Sequence, residues 1–360
     1  MRILVTGGAG FIGSEFVRST LAGHPSDTVT VLDKLTYAGN LANLAPVSDD
    51  PRFHFLPGDI ADRAVVEQAL DGCSAVVNFA AETHVDRSIL DPDAFVKTDV
   101  LGTWTLAHAA RAAGIQRFVQ VSTDEVYGAV LDGASQEADR LDPSSPYSAS
   151  KAGGELLVLA AWKTFRLPAI VVRGANAYGP YQYPEKLIPL HITNAIDDQP
   201  LPVYGDGQQR RQWTFVADFA SGIDTVLRNG AVGQVYNVGS PEPEASLPVN
   251  LEISRRILAV LSKPESLVEH VVDRPAHDRR YRVDVSKLLE LGWRPRWPFA
   301  EGLDSTVRWY AQHPEWWRPI KSGEPHQAYY AQNYADRSAF ARVDPLPPGP
   351  QLPVQGAGGR

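Results

Sequence analysis

The sequence GGAGFIG at residues 7–13 follows an apolar run at residues 2–6 and precedes a helical pattern. Glycines in such a strand-to-helix turn let backbone N–H groups approach a pyrophosphate at the N-terminus of the helix. Asp33 ends the next apolar run, 20 residues after Gly13, where a carboxylate binds the ribose hydroxyls of adenosine. Because a carboxylate repels a 2′-phosphate, the pattern favours NAD over NADP. The alternative interpretation of Asp33 is a turn or cap residue.

Short β-branched runs alternate with longer helical patterns through the first half of the chain. The runs predict buried parallel strands at 2–6, 28–32, 53–56, 75–79, 118–122 and 169–173. The helical patterns occupy residues 13–21, 62–70, 93–113 and 147–165. Together they predict an α/β fold, a doubly wound Rossmann-type parallel sheet with a smaller α/β C-terminal substrate-binding lobe.

The regular alternation stops near residue 176, where loops rich in Tyr, Pro and Gly begin. We therefore expect an NAD-binding Rossmann domain at residues 1–175, with residues 211–240 returning to it. A substrate-binding lobe is expected mainly at residues 176–334. Residues 335–360 are rich in Pro and Gly, which predicts a disordered tail or an extended strap.

The composition excludes several classes of protein. A net charge of −8 without a basic run argues against nucleic-acid binding. The single cysteine, Cys73, excludes an internal disulfide and a zinc–cysteine cluster, and no metal site is predicted. No stretch approaches the ~20 apolar residues of a membrane span. Because Met1 leads directly into the first strand without a secretory signal, we expect a cytoplasmic protein without a membrane partner.

The sequence YSASK at residues 147–151 indicates an oxidoreductase base. Tyr147 and Lys151 are four residues apart in a helical pattern, so they lie on one face of the helix. We expect the lysine ammonium to lower the pKa of the phenol from about 10, so that Tyr147 takes a proton from an alcohol.

The sequence STDEVYG at residues 122–128 adds a second kind of chemistry. Asp124 and Glu125 follow a predicted strand at its carboxyl end, and Thr123 offers a hydroxyl to a substrate oxygen. Adjacent carboxyl groups push their pKa values apart, so one holds a proton while the other stays ionised. An acid and a base beside the tyrosine suggest dehydration as well as oxidation. The alternative is a solvated acidic turn.

Longer stretches carry a family resemblance that covers residues 1 to about 334. They are DKLTYAGN at 33–40, AETHVDRS at 81–88, STDEVYG at 122–128, YGPYQ at 178–182, PEKLIP at 184–189 and RPAHDRRY at 274–281. In these stretches the chain resembles the extended short-chain dehydrogenases/reductases, and within them the dTDP-glucose 4,6-dehydratases. The resemblance implies a lyase that converts dTDP-glucose to dTDP-4-keto-6-deoxyglucose with NAD.

The resemblance also implies roles for the catalytic residues. Tyr147 deprotonates the C4 hydroxyl of the sugar, assisted by Thr123 and Lys151. Glu125 removes the C5 hydrogen, and Asp124 protonates the departing C6 hydroxyl. Hydride leaves C4 and returns to C6, so the reaction has no net change in oxidation state.

Binding residues are carried over in the same way. Cofactor contacts are expected at Gly7, Gly10, Phe11, Ile12, Gly13, Asp33, Lys34, Leu35, Thr36, Gly39, Asp59, Ile60, Phe79, Ala80, Ala81, Thr98, Ser122, Tyr147 and Lys151. Contacts with the nucleotide sugar are expected at Thr83, Thr123, Asn176, Glu185, Lys186, Leu187, Pro202, Val203, Tyr204, Arg211, Arg274, His277 and Tyr334. His84 is interpreted as a structural histidine, since it has no metal-ligand neighbours in sequence.

Several residues depart from the family pattern. The segment GANA at 174–177 replaces the usual Cys-Ser-Asn-Asn, and Thr83, Gln212 and Phe219 replace a serine, an aspartate and a histidine. The Asn-Glu pair usual near residues 237–244 is missing. The catalytic positions are retained, so the substrate is the less secure part of the prediction.

The alternatives are a UDP-hexose or UDP-N-acetylhexosamine dehydratase, an NAD-dependent nucleotide-sugar 4-epimerase or decarboxylase, and, more remotely, a non-catalytic NAD-sensing protein. The epimerase and decarboxylase reactions do not need the pair Asp124 and Glu125. The family resemblance further implies a homodimer joined by the helices predicted at residues 93–113 and 147–165.

Overall fold

A computed structural model describes residues 1–130, 132–243, 246–273 and 277–335, without the side chains of residues 332 and 335. The predicted tail from residue 336 onward therefore lies outside the described residues. The strands are β1 (Arg2–Thr6), β2 (Thr28–Asp33), β3 (Phe53–Pro57), β4 (Ala75–Asn78), β5 (Arg117–Thr123), β6 (Ala169–Gly174), β7 (Asn176–Tyr178), β8 (Leu201–Tyr204), β9 (Trp213–Phe215), β10 (Val235–Val238) and β11 (Val268–Val271).

Seven of these strands form one parallel sheet in the order β10-β6-β5-β4-β1-β2-β3. The strand order reverses between β1 and β4, and ligands of such sheets bind at the carboxyl ends of the strands near this point. The predicted α/β fold with a Rossmann-type parallel sheet is confirmed. All six predicted strands are present, each within two residues of its predicted ends.

Helices cover both faces of the sheet and build the second lobe. They are α1 (Phe11–Gly23), α2 (Arg63–Ala69), α3 (Val85–Leu90), α4 (Pro92–Phe95), α5 (Thr103–Ala112), α6 (Pro146–Phe165), α7 (Leu187–Ile196), α8 (Val216–Asn229), α9 (Asn250–Val260), α10 (Ser286–Glu290), α11 (Phe299–Gln312), α12 (Pro314–Ser322) and α13 (Glu324–Tyr330). None of the helices within the described ranges has the length and apolar character needed to cross a membrane.

The helix predicted at residues 93–113 is interrupted. A π-helical segment, Val96–Gly102, separates α4 from α5. Within it the buried Asp99 accepts hydrogen bonds from Ser150 Oγ of α6 at 2.7 Å and from the Glu82 N–H at 3.1 Å. Hydrophobic periodicity does not reveal such a local widening, which often occurs at functional sites.

The elements after residue 176 divide between the main sheet and two small separate sheets. Helix α8 packs beside α1 through Phe16, Val17, Phe219 and Ile223, and β10 extends the main sheet next to β6. Strand β9 instead pairs with β7, and β11 pairs with β8, so each forms a small separate sheet.

The second lobe has its own apolar core. It contains Tyr178, Ile188, Ile192, Trp213, Ile253, Leu303, Tyr310 and Trp317. Trp309 and Trp316 pack against this core, so these tryptophans are structural residues. The lobe thus has enough buried surface to hold its loops against the carboxyl edge of the main sheet.

Candidate active site

A cavity of about 410 Å³ lies at the carboxyl ends of the sheet strands and extends between the two lobes. Its lining combines the glycine-rich turn after β1, the ends of β2, β4 and β5, the first turns of α6 and loops of the second lobe. Large concave sites of this kind are typical of cofactor and substrate pockets. Among the described residues, no group of three or more His, Cys, Asp or Glu side chains could hold a metal ion.

In the glycine-rich turn, residues 7–13, backbone atoms lie too close to one another to leave room for side chains. Gly7 has φ +67°, and a Cβ there would lie 2.6 Å from the backbone nitrogen of Ala80. A Cβ on Gly13 would lie 2.3 Å from the carbonyl oxygen of Gly7. Larger residues would therefore push the turn away from the loop after β4. The backbone at the start of α1 stays open for a diphosphate because these positions are glycine.

Asp33 lies at the end of the cavity where the adenosine of the cofactor is expected. Its carboxylate accepts hydrogen bonds from the N–H groups of Ala9 at 2.9 Å and Leu35 at 2.8 Å, and burial raises the pKa of Asp33. Lys34 forms an ion pair with Asp59 at 2.8 Å beside it. These contacts hold the carboxylate at the end of β2, where a ribose would lie.

Nearly all the predicted cofactor residues line the cavity. They are Gly7, Gly10, Phe11, Ile12, Gly13, Asp33, Lys34, Thr36, Gly39, Asp59, Ile60, Phe79, Ala80, Ala81, Thr98, Ser122, Tyr147 and Lys151. Leu35 is not among them, because its backbone turns at φ +55° and leaves the side chain 37% exposed. The Ser122 hydroxyl is buried without a hydrogen-bond partner among the described residues. A polar ligand would satisfy it, so the residues present fit a dinucleotide.

The acid–base turn, Asp124–Tyr127, is a 3₁₀ turn directly after β5. Thr123 caps it, because its Oγ1 accepts a hydrogen bond from the Glu125 N–H at 3.3 Å. The Asp124 side chain is only 3% exposed. Burial and the neighbouring Glu125 raise the pKa of Asp124 to about 8, although Arg211 acts in the opposite direction. Asp124 therefore holds a proton at neutral pH, as the sequence analysis expected of one carboxyl group.

Tyr147 lies in the first turn of α6, beside Thr123 in the same cavity. We expected Lys151 to lower the pKa of Tyr147. This prediction is wrong when only the groups of the protein itself act on the phenol. Burial and the carboxylates of Glu125 and Asp99 raise the pKa of Tyr147 well above its usual range. The Lys151 ammonium donates to the Val121 carbonyl at 2.9 Å, and its charge does not outweigh these effects on Tyr147. Additional positive charge is needed before the phenolate forms readily.

The nucleotide-sugar residues come from distant parts of the chain. Thr83, Thr123, Asn176, Glu185, Lys186, Leu187, Pro202, Tyr204, Arg211, His277 and Tyr334 line the cavity. Val203 does not, because successive residues of β8 face opposite sides, and its side chain is fully buried. Arg274 lies outside the described residues.

Two departures from the family pattern compensate each other. The ring of Phe219 lies so close to Gly174 that a Cβ there would be 2.1 Å from Cζ. Both residues line the cavity. A larger residue at position 174 would require the ring to move, so the glycine and the phenylalanine form a matched pair at the end of β6.

Sequence reasoning missed several lining residues, namely Glu82, Asp86, Gln182, Tyr183, His191, Asn250 and Tyr281. Glu82, Asp86, Gln182 and Tyr281 lie in stretches that carry the resemblance, which was the available signal. The fully buried Asp86 carboxylate accepts hydrogen bonds from Tyr204 Oη at 3.0 Å and from Asn333 Nδ2 at 3.3 Å. Burial raises the pKa of Glu82 to about 7.

His84 also lines the cavity, although the sequence favoured a structural role. Its Nδ1 lies 3.2 Å from Tyr329 Oη, and the two rings meet edge to face. The residue has φ +91° at the start of α3. It therefore combines a packing contact with a position on the pocket wall.

Comparisons with known proteins agree with this geometry. Residues 4–306 match the family model described as GDP-mannose 4,6 dehydratase. A dTDP-glucose 4,6-dehydratase from Streptomyces niveus is 50% identical over 327 residues, which are 89% of this chain and 96% of the relative. The chain belongs to the nucleotide-sugar 4,6-dehydratase family. The resemblance predicted from the sequence is confirmed.

Two further proteins match over similar lengths. A low-salt glycan biosynthesis protein from Haloferax volcanii is 49% identical over 310 residues, 86% of this chain and 98% of the relative. The crystal structure of DesIV, a dTDP-glucose 4,6-dehydratase from Streptomyces venezuelae with NAD and TYD bound, is 50% identical with a TM-score of 0.86. That match covers 89% of this chain and all of the DesIV chain.

Proposed function

We propose that this 4,6-dehydratase converts dTDP-glucose to dTDP-4-keto-6-deoxyglucose and water, with NAD as a cofactor that is regenerated in each cycle. The observation that carries the proposal is the shared pocket, in which the buried Asp124 lies beside Glu125 and with Tyr147, and in which burial raises the pKa of Asp124. An acid, a second carboxyl group and a phenol in one site are the groups that elimination after oxidation requires.

The NAD site comprises the glycine-rich turn, Asp33 and Ser122, with residues 1–175 and 211–240 as the cofactor domain. When bound, NAD takes a hydride from C4 of the sugar, returns it to C6 and carries a positive charge on its oxidised ring. Gly7 and Gly13 keep the backbone open for the diphosphate, and Asp33 binds ribose hydroxyls.

Tyr147 acts in the oxidation. The phenolate form of Tyr147 takes the proton of the C4 hydroxyl, and Thr123, which lies beside Tyr147 in the pocket, orients the same oxygen. Because burial and nearby carboxylates raise the pKa of Tyr147, the lysine at position 151 and the cofactor charge both favour this step. Lys151, held by the carbonyl of Val121, contributes long-range positive charge.

Asp124 and Glu125 act in the elimination. Oxidation at C4 makes the C5 hydrogen acidic, and Glu125 removes it as a proton. Asp124 gives its proton to the C6 hydroxyl, so the C6–O bond breaks and water leaves. The hydride returned by the cofactor would then add to C6, and Glu125 gives C5 a proton after exchange with solvent. Tyr147 releases the proton taken from the C4 hydroxyl and Asp124 regains one, so the protons balance.

The nucleotide is bound by the second lobe, mainly at residues 176–334. Arg211 and Lys186 bring positive charge to a protein with a net charge of −8, and His277 adds a hydrogen-bonding group. The rings of Tyr204 and Tyr334 are stacked with their centroids 6.1 Å apart and flank the base. Asn176 Oδ1 is buried without a hydrogen-bond partner among the described residues, and a hydroxyl of the sugar, which can donate a hydrogen bond, satisfies it.

We also propose a cytoplasmic homodimer. Val96 and Leu101 of the π-helical segment and Leu156 and Phe165 of α6 are each exposed by 41–55%. Large apolar side chains on neighbouring helices are typical of a face covered by another copy. NAD and nucleotide sugars are cytoplasmic metabolites, which supports the compartment. Sedimentation at several protein concentrations, with Leu156→Glu as the disrupting variant, tests the dimer.

The activity is tested with a panel of dTDP- and UDP-linked hexoses in deuterated water, without added reductant. We expect dTDP-glucose to yield a 4-keto-6-deoxy product that is one water lighter and carries deuterium at C5. Mass spectrometry and NMR detect both features. Turnover of UDP-sugars alone would reassign the nucleotide, and release of a 4-epimer without water loss would contradict the dehydratase function.

A further inference from the structure

A buried polar cluster lies behind the active-site wall, outside the cavity lining. It consists of Tyr127, Glu155, Arg173 and Asn237, and each of these side chains is at most 6% exposed. The proposed chemistry uses none of them. Because buried polar and charged groups are costly unless paired, their contacts deserve a functional explanation as well as a structural one.

Tyr127 ends the acid–base turn and is its buried anchor. Its hydroxyl accepts a hydrogen bond from Arg173 Nη1 at 2.8 Å and donates one to Asn237 Oδ1 at 2.8 Å. The Arg173 guanidinium also lies 4.7 Å from the centre of the tyrosine ring. Asn237 is itself oriented, since its Nδ2 donates to the carbonyls of Ser135 and Asp284 at 3.1 Å each. The hydroxyl position is therefore determined from two sides.

Arg173 connects this anchor to α6. Its Nε and Nη2 donate to Glu155 Oε1 at 3.0 and 2.7 Å, and Nη1 also reaches the Glu137 carbonyl at 3.2 Å. Glu155 is fully buried and stands four residues after Lys151 and eight after Tyr147 on the same helix. Residues at this spacing share a helix face. One guanidinium thus links the turn that carries the acid and base to the helix that carries the oxidising tyrosine.

We propose that Tyr127, Arg173 and Glu155 are positioning residues that fix the Asp124–Glu125 turn relative to Tyr147, so that oxidation and elimination occur on one bound sugar. This inference rests on the proposed function. The reaction uses C4, C5 and C6 of the same ring, so the proton-transfer groups on the turn and on α6 must be aligned together. A misplacement of about 1 Å at such a group lowers the rate about 10²-fold.

A buried ion pair is not by itself a stability device, because desolvation offsets much of its attraction. Its value here is geometric. The planar guanidinium presents donors in fixed directions, so it serves Glu155 and Tyr127 at once, whereas a lysine ammonium has only a single charged point. Asp124 and Glu125, which act in elimination, lie on the turn that Tyr127 anchors. Loosening this link should therefore slow elimination more than oxidation at C4.

The test compares Tyr127→Phe with the wild-type holoenzyme under single-turnover conditions. Removal of the hydroxyl leaves the ring in place, and we expect elimination to slow about 10- to 100-fold. Oxidation at C4 and KM should change by less than about threefold. Reduced cofactor then accumulates at 340 nm, and the released sugar includes a 4-ketone that has not lost water.

Tyr178→Phe is the matched control. Tyr178 is also a buried tyrosine, and its hydroxyl donates to the Phe299 carbonyl at 3.0 Å inside the second lobe. We expect it to lower the melting temperature to a similar extent without accumulation of reduced cofactor. Equal slowing of both steps in Tyr127→Phe, or unchanged kcat, would overturn the positioning role.

Arg173→Lys provides a second, independent variant. The lysine keeps a positive charge opposite Glu155, but it lacks the planar guanidinium that binds Glu155 and Tyr127 at once. We therefore expect the same accumulation of reduced cofactor. If Tyr127→Phe does not fold, Arg173→Lys tests the proposal instead. A normal rate of elimination in Arg173→Lys overturns the proposal. Failure of the wild type to release the 4-keto-6-deoxy sugar would instead contradict the proposed function.

Discussion

The two halves of the cavity are built in different ways. The cofactor half uses a contiguous glycine-rich turn and the end of β2, with backbone atoms in close contact. The nucleotide-sugar half uses side chains from separate loops, and its contacts are ion pairs, stacked rings and hydrogen bonds. We conclude that the diphosphate part of the cofactor half depends on the absence of side-chain atoms, whereas the sugar half depends on their presence.

Glu125→Gln should have the largest effect, since it acts where the two halves meet. The amide keeps the shape of the side chain but cannot remove the C5 proton, so elimination should fall about 10²- to 10⁴-fold. Oxidation at C4 needs only the cofactor half and Tyr147, and should persist as reduced-cofactor absorbance after mixing with dTDP-glucose. Normal turnover would mean that Glu125 is not the base.

Gly13→Ala should break the cofactor half. The new Cβ would lie 2.3 Å from the Gly7 carbonyl oxygen, and overpacking costs about 1–3 kcal/mol. If the strain is relieved by moving the turn, NAD affinity should fall about 5- to 100-fold. The measurement is NAD binding by calorimetry. Gly23→Ala is the control, because a Cβ at the end of α1 meets no atom within 4 Å and should leave affinity unchanged.

The pH dependence should distinguish the two chemical steps. Burial and Glu125 raise the pKa of Asp124 to about 8, so this group is protonated below that pH. As pH rises through about 8 the acid loses its proton, and elimination should fall about tenfold for each further pH unit. Single-turnover traces at several pH values measure elimination and oxidation separately. A pH-independent elimination rate up to about pH 9 would show that Asp124 is not the acid.

Arg87→Lys should have the smallest effect and tests the contact between the halves. The Arg87 guanidinium binds Glu185 at 2.8 Å and lies 3.7 Å from the centre of the Tyr37 ring, which follows β2. A lysine would lose the planar contact with Glu185 and the contact with the Tyr37 ring. Substrate binding should weaken by about 1 kcal/mol, which corresponds to about a fivefold rise in KM. We expect little change in kcat.

Arg256→Lys is the control for that variant. It alters an exposed pair with Asp304 at 2.6 Å, and exposed ion pairs contribute little to stability. Its KM should equal that of the wild type. An unchanged KM in Arg87→Lys would show that the Glu185 loop does not need this guanidinium.

Much of the fold could be predicted because its signals are local. Most strands of the first half are short runs rich in Val, Ile or Thr, and Gly13 must be glycine because a Cβ there would meet the Gly7 carbonyl oxygen of the same turn. The helix predicted at 93–113 was wrong in its middle, since the π-helical segment depends on contacts of Asp99 with α6 and the loop after β4. Such contacts have no periodic signature.

The sequence predicted that the proposed catalytic residues share one site, and all of them line the cavity. Their protonation states were only partly predictable. The pair Asp124 and Glu125 indicated separated pKa values from adjacency alone, and burial determines that Asp124 holds the proton. The pKa of Tyr147 was predicted in the wrong direction, because the sequence does not show how deeply the phenol is buried or that Lys151 faces a backbone carbonyl.

By itself the sequence determined the α/β class, the cofactor turn and the identity of the reactive groups, because these follow from residue type and short spacing. Only the tertiary structure decided which side chains share the cavity, which carboxyl group keeps its proton, and how Arg173 connects the acid–base turn to α6. The physical reason is that burial and electrostatic coupling depend on distances in space, and residues far apart in the chain set those distances.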